Sequence, residues 1–67
     1  MKMISVDSSA IAEIGYEDGV LAIRFHSRCE PYFFQNVPEQ LFKEFLLSPS
    51  KGKFFHDSIK DKYLPLP

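Results

Sequence analysis

The sequence predicts an α+β domain in which a three-stranded antiparallel β-meander is followed by two short C-terminal helices that pack on one face of the sheet. Apolar residues alternate with a period of two in the first half of the chain and recur every three or four residues in the second half. A chain of 67 residues has room for one hydrophobic core. We therefore expect a single domain over residues 1–67, with flanking segments at residues 1–7 and 64–67.

Three alternating runs of apolar residues predict the strands, in chain order at residues 9–17, 20–26 and 32–35. In the first run Ile11 falls on the opposite face from Ile14, which predicts either a β-bulge that Gly15 could mark or a strand with two apolar faces. Asp18-Gly19 predicts a tight hairpin turn, because these residues adopt the positive φ that short hairpin loops require. A polar loop closed by a proline, residues 27–31, precedes the last strand.

Two helices are predicted after the strands, at residues 38–47 and 51–61. Pro38 suits the first turn of the first helix, where its missing N–H leaves no hydrogen bond unmade. Ser50 is the expected N-cap of the second helix, and residues 64–67, with two prolines, should form an extended tail. The predicted core consists of Ile14, Leu21, Ile23, Phe25, Phe34, Val37, Leu41, Phe45, Phe55 and Ile59.

Composition excludes several classes of protein and site. Cys29 is the only cysteine, so neither an intrachain disulfide nor a cysteine zinc cluster can form within the chain. Polar residues interrupt segment 1–7 too early for a signal peptide or a membrane span, so we expect a cytoplasmic protein with no membrane partner. The sequence contains no recognisable metal, nucleotide or cofactor motif, and we expect no cofactor. It leaves the oligomeric state undetermined.

Residues 50–63, called the cationic segment below, form the strongest candidate for a binding surface. The segment contains four lysines and two aspartates, a net charge of +2, whereas the rest of the chain carries −3. Aromatic residues lie between the lysines, a combination that binders of single-stranded nucleic acid use. The candidate residues for binding an anion or a nucleic acid are Ser50, Lys51, Gly52, Lys53, Phe54, His56 and Lys60.

These candidates also have structural interpretations. Ser50, Gly52 and the free N–H groups of the first helical turn would bind a phosphate or carboxylate, or they would only cap the helix and pack it against the sheet. Phe54 and Tyr63 would stack on nucleobases, or they would belong to the core, since aromatic residues at helical spacing are more often buried. The sequence leaves both pairs of alternatives open.

Other polar residues give weaker signals. His56 and Asp57 are adjacent, so on a helix their side chains would point about 100° apart and could not orient each other, and we expect no enzyme. Cys29 is either a reactive thiol beside a cation or a bystander. His26 and His56 have no cysteine or carboxylate partners at a spacing that would specify zinc, so the sequence indicates no metal site. A second basic cluster is predicted, at an undetermined distance from the cationic segment, from Arg24, His26 and Arg28.

Residues spread over positions 8–63 match a known pattern. They are Ser8-Ser9, Ile11, Ile14-Gly15-Tyr16, Leu21, Ile23, Phe25, Tyr32, Phe34, Val37-Pro38, Ser50, Gly52, Phe54-Phe55, Ile59-Lys60 and Tyr63. The Val-Pro pair and the Ser-x-Gly-x-x-Phe-x-x-x-Ile-Lys run that begins at Ser50 are the specific parts. With these residues the chain resembles the KTSC domain family, a small module named for its occurrence at the C-terminus of some lysyl-tRNA synthetases, which also occurs as a stand-alone protein.

The resemblance implies a link to RNA metabolism. The family has no known catalytic residue that could be carried over to this chain. The chain departs from the family pattern between Phe25 and Tyr32, where the family usually has a glycine turn and this loop is one residue longer. Together with the charge of the cationic segment, the resemblance predicts a small non-enzymatic module that binds RNA or an RNA-associated protein. The alternative is a protein-interaction module in which the lysines provide only solubility and the contact surface consists of exposed aromatic residues such as Tyr16, Tyr32 or Phe54.

Overall fold

The computed structural model describes residues 1–66 and contains an antiparallel sheet followed by two helices, as the sequence predicts. The elements are β1 (Met3–Ser5), β2 (Ile11–Glu17), β3 (Val20–Phe25), β4 (Tyr32–Phe34), α1 (Glu39–Leu47) and α2 (Lys51–Ser58). The strands are neighbours in chain order, so the sheet is a meander. Both helices pack on the same apolar face of this sheet. Pro67, the last residue of the predicted tail, lies outside the described residues.

The sheet has four strands, and the prediction of three was wrong because it placed residues 1–7 in a flanking segment. β1 pairs antiparallel with β2, with Met3 opposite Gly15. The amino group of Met1 lies 3.1 Å from the carboxylate of Glu17, which ties the N-terminus to the end of β2. A strand of three residues is too short to show an alternating pattern, and its pairing depends mainly on backbone hydrogen bonds.

A β-bulge in β2 determines which of its side chains face the core. Ile11 and Glu13 pair with consecutive residues of β3, so Ala12 is the extra residue. Ile11 and Ile14 therefore both point into the core, where each is 0% exposed. The predicted bulge is confirmed, but it lies at Ala12 and not at Gly15.

Residues with positive φ form the turns that connect the sheet. Asp18 and Gly19, with φ of 50° and 81°, make the two-residue hairpin loop between β2 and β3, as predicted. Asn36, with φ of 61°, turns the chain after β4. The N–H of Val37 then donates to the carbonyl of Gly19 over 2.8 Å, which attaches the start of the helical half to the first hairpin.

The helix boundaries are close to those predicted. Pro38 is the N-cap of α1 in an extended conformation and not a residue of the first turn. The hydroxyl of Ser50 accepts the N–H of Lys53 over 3.4 Å, so the predicted cap of α2 is confirmed. α2 ends at Ser58, earlier than predicted, and the next residue, Ile59, is fully buried. Within residues 1–66, neither helix is long and apolar enough to cross a membrane.

The C-terminal tail is extended, as predicted, but it pairs with the sheet. The carbonyl of Leu64 accepts the N–H of Gln35 over 3.3 Å, and the N–H of Leu66 donates to a β4 carbonyl over 2.6 Å. Pro65 lies opposite Phe34 between these two bonds. At that position the backbone N faces away from β4, so the missing N–H of proline removes no hydrogen bond from the ladder.

The core lies between the sheet and the two helices and is mostly as predicted. Phe25, Leu41 and Phe55 are half-buried against this core, whereas the prediction placed them inside it. The bulge brings in Ile11, which the prediction omitted. The cluster of buried residues consists of Ile11, Ile14, Leu21, Ile23, Phe34, Val37, Phe45 and Ile59.

A side chain at Gly15 should disrupt β1. A Cβ there would lie 2.7 Å from Met3 Sδ and 2.8 Å from the carbonyl oxygen of Lys2, so the backbone of β1 would have to move. We expect Gly15→Ala to lower the free energy of unfolding by about 1–3 kcal/mol in urea denaturation. Gly52→Ala is the control, because its Cβ would meet only Ala10 Cβ at 3.7 Å. It should be neutral or stabilising by up to about 1 kcal/mol, and equal losses in the two variants would contradict this account.

Lys51 stabilises the junction between the helices. Its ammonium donates a hydrogen bond to the carbonyl of Ser48, the C-cap of α1, where the helix dipole favours a positive charge. We expect Lys51→Met to lower the free energy of unfolding by about 0.5–1 kcal/mol, measured by thermal denaturation. Lys53→Met makes the same change at an exposed position of α2 and should have no such effect. Losses of the same size would show that the hydrogen bond contributes nothing.

Candidate functional site

An open cleft of about 480 Å³ lies where the β3–β4 loop, the end of α2 and the C-terminal tail meet. Its volume is within the range of ligand-binding sites, roughly 300–1,000 Å³. It is called the aromatic cleft below and is lined by Phe25, Ser27, Arg28, Tyr32, Phe34, Phe55, Lys60 and Pro65.

Aromatic rings in edge-to-face contact form the floor of the aromatic cleft. The ring centroid of Phe25 lies 5.8 Å from that of Tyr32 and 5.2 Å from that of Phe55, with planes inclined by 71° and 75°. Phe55 meets Phe34 in the same way, with centroids 5.8 Å apart. This geometry is favourable for aromatic pairs. The floor is therefore built from three separate elements, β3, β4 and α2, that hold each other in place.

The position of Tyr32 explains why the floor is open to solvent. Tyr32 pairs with Ile23 across β3 and β4, so it lies on the same face of the sheet as the core. The helices cover Ile23 completely but leave Tyr32 37% exposed. Phe25 and Phe55 are half-buried beside it. The aromatic cleft is thus an uncovered margin of the core face.

Two cations flank this floor. The guanidinium carbon of Arg28 lies 5.0 Å from the centroid of the Tyr32 ring, a cation–π contact that orients the side chain. Lys60 lies just after α2, where its N–H donates to the carbonyl of Phe55 over 2.9 Å. Among residues 1–66, no carboxylate oxygen lies within 4.0 Å of either cationic group. The rim of the aromatic cleft is therefore positively charged.

The two predicted basic regions meet in space through one cation from each. Arg28 of the second basic cluster and Lys60 of the cationic segment line the same cleft. Arg24 lies on the opposite face of the sheet, with its Nε 2.7 Å from a carboxylate oxygen of Glu13. Nε2 of His26 is 2.8 Å from a carbonyl of the β1–β2 connection. The other two residues of the second cluster therefore have local partners and do not reach the cleft.

At the start of α2, the geometry favours the structural interpretation of the predicted anion site. The hydroxyl of Ser50 is engaged as the cap for Lys53, and the ammonium of Lys51 is bonded to the end of α1. A polar hollow lined by Ser50, Lys51 and Gly52 also contains Asp7, whose negative charge offsets that of Lys51 and opposes an anion. The residues at the start of α2 stay candidates for anion binding on the basis of the sequence. The aromatic cleft has the stronger combination of positive charge and exposed apolar surface.

Phe54 and His56 do not line the aromatic cleft. Phe54 stacks on Phe45 with centroids 5.2 Å apart and planes inclined by 16°, so it packs against the core, as Tyr63 also does. Nδ1 of His56 lies 3.3 Å from a carboxylate oxygen of Asp57 on an exposed part of α2. The expectation that these adjacent side chains could not orient each other was wrong, because the two exposed side chains bend toward one another within hydrogen-bond distance. Within residues 1–66, no group of three potential ligands is placed to hold a metal ion.

Several residues of the aromatic cleft were not assigned to a binding site from the sequence. They are Phe25, Ser27, Phe34, Phe55 and Pro65, and Tyr32 appeared only as an exposed aromatic candidate. The strand and helix patterns placed the three phenylalanines in the core, which is correct for Phe34, whereas Phe25 and Phe55 are half-buried. A local signal was available in Arg28, which precedes Tyr32 by four residues on the way into β4. Cys29 is exposed in the same loop but does not line the cleft.

Comparison with known proteins agrees with the fold. A protein from Tsukamurella paurometabola is 33% identical over 63 residues, which are 91% of this chain and 92% of that protein. The crystal structure of a KTSC domain protein from Yersinia pestis matches with a TM-score of 0.89 and 37% identity, over 97% of this chain and 93% of that one. The family model of the KTSC domain matches residues 7–63. The resemblance read from the sequence is therefore confirmed, and the chain belongs to the KTSC domain family.

Proposed function

We propose that this KTSC domain is a small non-enzymatic binding module whose ligand is single-stranded RNA, bound at the aromatic cleft. The observation that carries the proposal is the convergence of Arg28 and Lys60 on one aromatic floor. Proteins that bind single strands combine cations, which contact the phosphates, with aromatic rings on which the bases stack. The aromatic cleft provides both within one open surface.

The charge distribution supports RNA binding at a local site and not through the overall charge of the protein. The chain has a net charge of −1, so its overall charge does not favour a polyanion. Arg28 and Lys60 have no carboxylate within 4.0 Å among residues 1–66, and their charges are therefore available to phosphate groups. With two such cations, the logarithm of the binding constant should fall with the logarithm of salt concentration at a slope of about −1.4.

The form of the aromatic cleft favours a single strand over a duplex. A double helix keeps its bases stacked inside and presents mainly phosphates and ribose hydroxyls to a protein. Such a ligand would contact Arg28 and Lys60 but would leave the exposed Tyr32 ring unused. An unpaired strand can place a base against that ring while its phosphates contact the cations.

Reversing the charge at the rim of the aromatic cleft should weaken RNA binding. We expect Arg28→Glu with Lys60→Glu to weaken the binding of a fluorescently labelled single-stranded RNA by about tenfold or more at low salt, because two phosphate contacts are lost. Fluorescence anisotropy measures the affinity. The matched control is Lys2→Glu with Lys43→Glu, which changes the net charge equally at exposed positions outside the cleft and outside the cationic segment. At about 0.15 M salt, where the Debye length is about 8 Å, the control should retain wild-type affinity within about twofold, because charges away from the site are screened.

Circular dichroism and thermal unfolding must first show that both double variants are folded. Failure of the wild-type chain to bind RNA even at low ionic strength would contradict the proposal. Equal losses of affinity in the two double variants would assign any binding to general charge and remove the role of the aromatic cleft.

Protein–protein interaction is the second candidate, and the outer face of the sheet favours it. Tyr16 and Phe54, two aromatic residues considered for this role, pack against the core instead, whereas Tyr32 is exposed. Phe33 is 37% exposed on the face away from the helices. The register aligns Met3, Gly15, Ala22 and Phe33 across the four strands on this face, and Phe33 is the exposed member of this apolar row, whereas Gly15 and Ala22 are buried.

Phe33→Ser distinguishes the two candidates. The substitution removes an exposed apolar ring without changing a charge or a residue that lines the aromatic cleft. Under the RNA proposal, RNA affinity should stay within about twofold of wild type, because the cations and stacking surface are intact. Affinity capture from ribonuclease-treated extract, with mass spectrometry, tests the alternative. Defined proteins that are retained by Arg28→Glu but lost with Phe33→Ser, together with no RNA binding by the wild-type chain, would favour the outer face.

A further inference from the structure

We infer that the aromatic cleft holds one unstacked nucleobase, with Arg28 and Lys60 contacting the phosphates beside that nucleotide. This inference rests on the proposed function and narrows it from single-stranded RNA in general to recognition of a base. The observations behind it are the volume of the cleft, the exposed apolar floor and the position of the Arg28 guanidinium over Tyr32.

The size of the cleft limits what can enter. A volume of about 480 Å³ is in the range of sites for single small ligands, and a duplex cannot insert into it. Because the cleft is open to solvent, the strand on either side of an inserted nucleotide can continue along the surface. A ligand of one base with its flanking phosphates therefore fits the shape better than a folded or paired nucleic acid.

The floor of the cleft favours a base over phosphate alone. Tyr32 is 37% exposed, and Phe25 and Phe55 are half-buried, so apolar ring surface is in contact with water. An inorganic anion would leave this surface wet, whereas a planar base would cover it and bury apolar area. The aromatic composition thus distinguishes this site from a simple anion-binding cluster.

Arg28 provides a planar group for stacking as well as a charge. Its guanidinium carbon lies 5.0 Å from the Tyr32 ring centroid, and the exposed side chain leaves the group accessible to a ligand. Bases stack on guanidinium planes as well as on aromatic rings. Contact with Tyr32 orients the side chain before binding, which reduces the entropy lost when a ligand is bound. Lysine at position 28 would keep the charge and lose the plane.

The test compares short single-stranded RNA with RNA of the same length from which the bases have been removed. Both are titrated into the full chain as wild type and as Arg28→Lys, with Lys60→Arg as the control that also conserves charge. Wild type should bind the intact RNA about tenfold more tightly than the abasic RNA, as expected for one stacked base. Arg28→Lys should remove most of this difference, Lys60→Arg should preserve it, and all three proteins should bind abasic RNA equally.

Nuclear magnetic resonance locates the base independently of these variants. Intact RNA should shift the ring signals of Tyr32 and Phe55 more than abasic RNA does. Shifts confined to the first turn of α2, around Lys51 and Lys53, would overturn the inference. Thermal unfolding of Arg28→Lys should match that of wild type, because the residue is exposed in a loop.

The outcomes separate the inference from the proposed function. Equal affinity of wild type for intact and abasic RNA, with binding lost in the Arg28→Glu and Lys60→Glu double variant, would overturn the base site and leave RNA binding in place. Absence of binding to either RNA would overturn both. An acidic, tyrosine-containing peptide that binds the cleft when RNA does not would assign it to a protein partner and would also overturn the inference.

Discussion

The edge-to-face contacts of Phe55 with Phe25 and Phe34 hold α2 against the sheet, and the rest of the structure depends on them. The centroid distances are 5.2 Å and 5.8 Å, which are normal for stabilising aromatic pairs. They direct the end of α2 toward β3 and β4, so that Ile59 enters the core at 0% exposure and Lys60 reaches the margin of the sheet. The same rings therefore complete the core on one side and form the floor of the aromatic cleft on the other.

The C-terminal tail both covers the β4 edge of the sheet and lines the aromatic cleft. An open sheet edge presents unpaired backbone groups to which another chain can add. Residues 64–66 pair with β4, and Pro65 has no N–H to offer on its outer side, so this edge is a poor template for a further strand. Pro65 also forms a wall of the aromatic cleft. Closing the β4 edge and shaping the cleft are thus two results of one backbone pairing.

The cationic segment divides into residues with structural roles and residues that line the aromatic cleft. A lysine in the first turn of a helix is opposed by the helix dipole, and Lys51 offsets this by bonding to the negatively polarised end of α1. Ser50 caps the helix, and Phe54 packs on the core. Phe55 and Lys60 line the aromatic cleft, and Lys60 is the only lysine of the segment that does so, joined there by Arg28 from a distant loop. The sequence could indicate the excess of positive charge but not which lysine would meet an aromatic surface.

The sequence by itself determined the α+β class, the Asp18-Gly19 hairpin, the Ser50 cap and most of the core, because apolar periodicity, turn chemistry and capping are local properties of the chain. It also carried the family resemblance. The tertiary structure alone decided the pairing of β1, the position of the bulge at Ala12 and the partial exposure of Phe25 and Phe55, which the sequence assigns to the core. The aromatic cleft belongs to this second group. Its parts come from β3, the following loop, β4, α2 and the tail, and only the packing of elements distant in sequence brings Arg28 and Lys60 together.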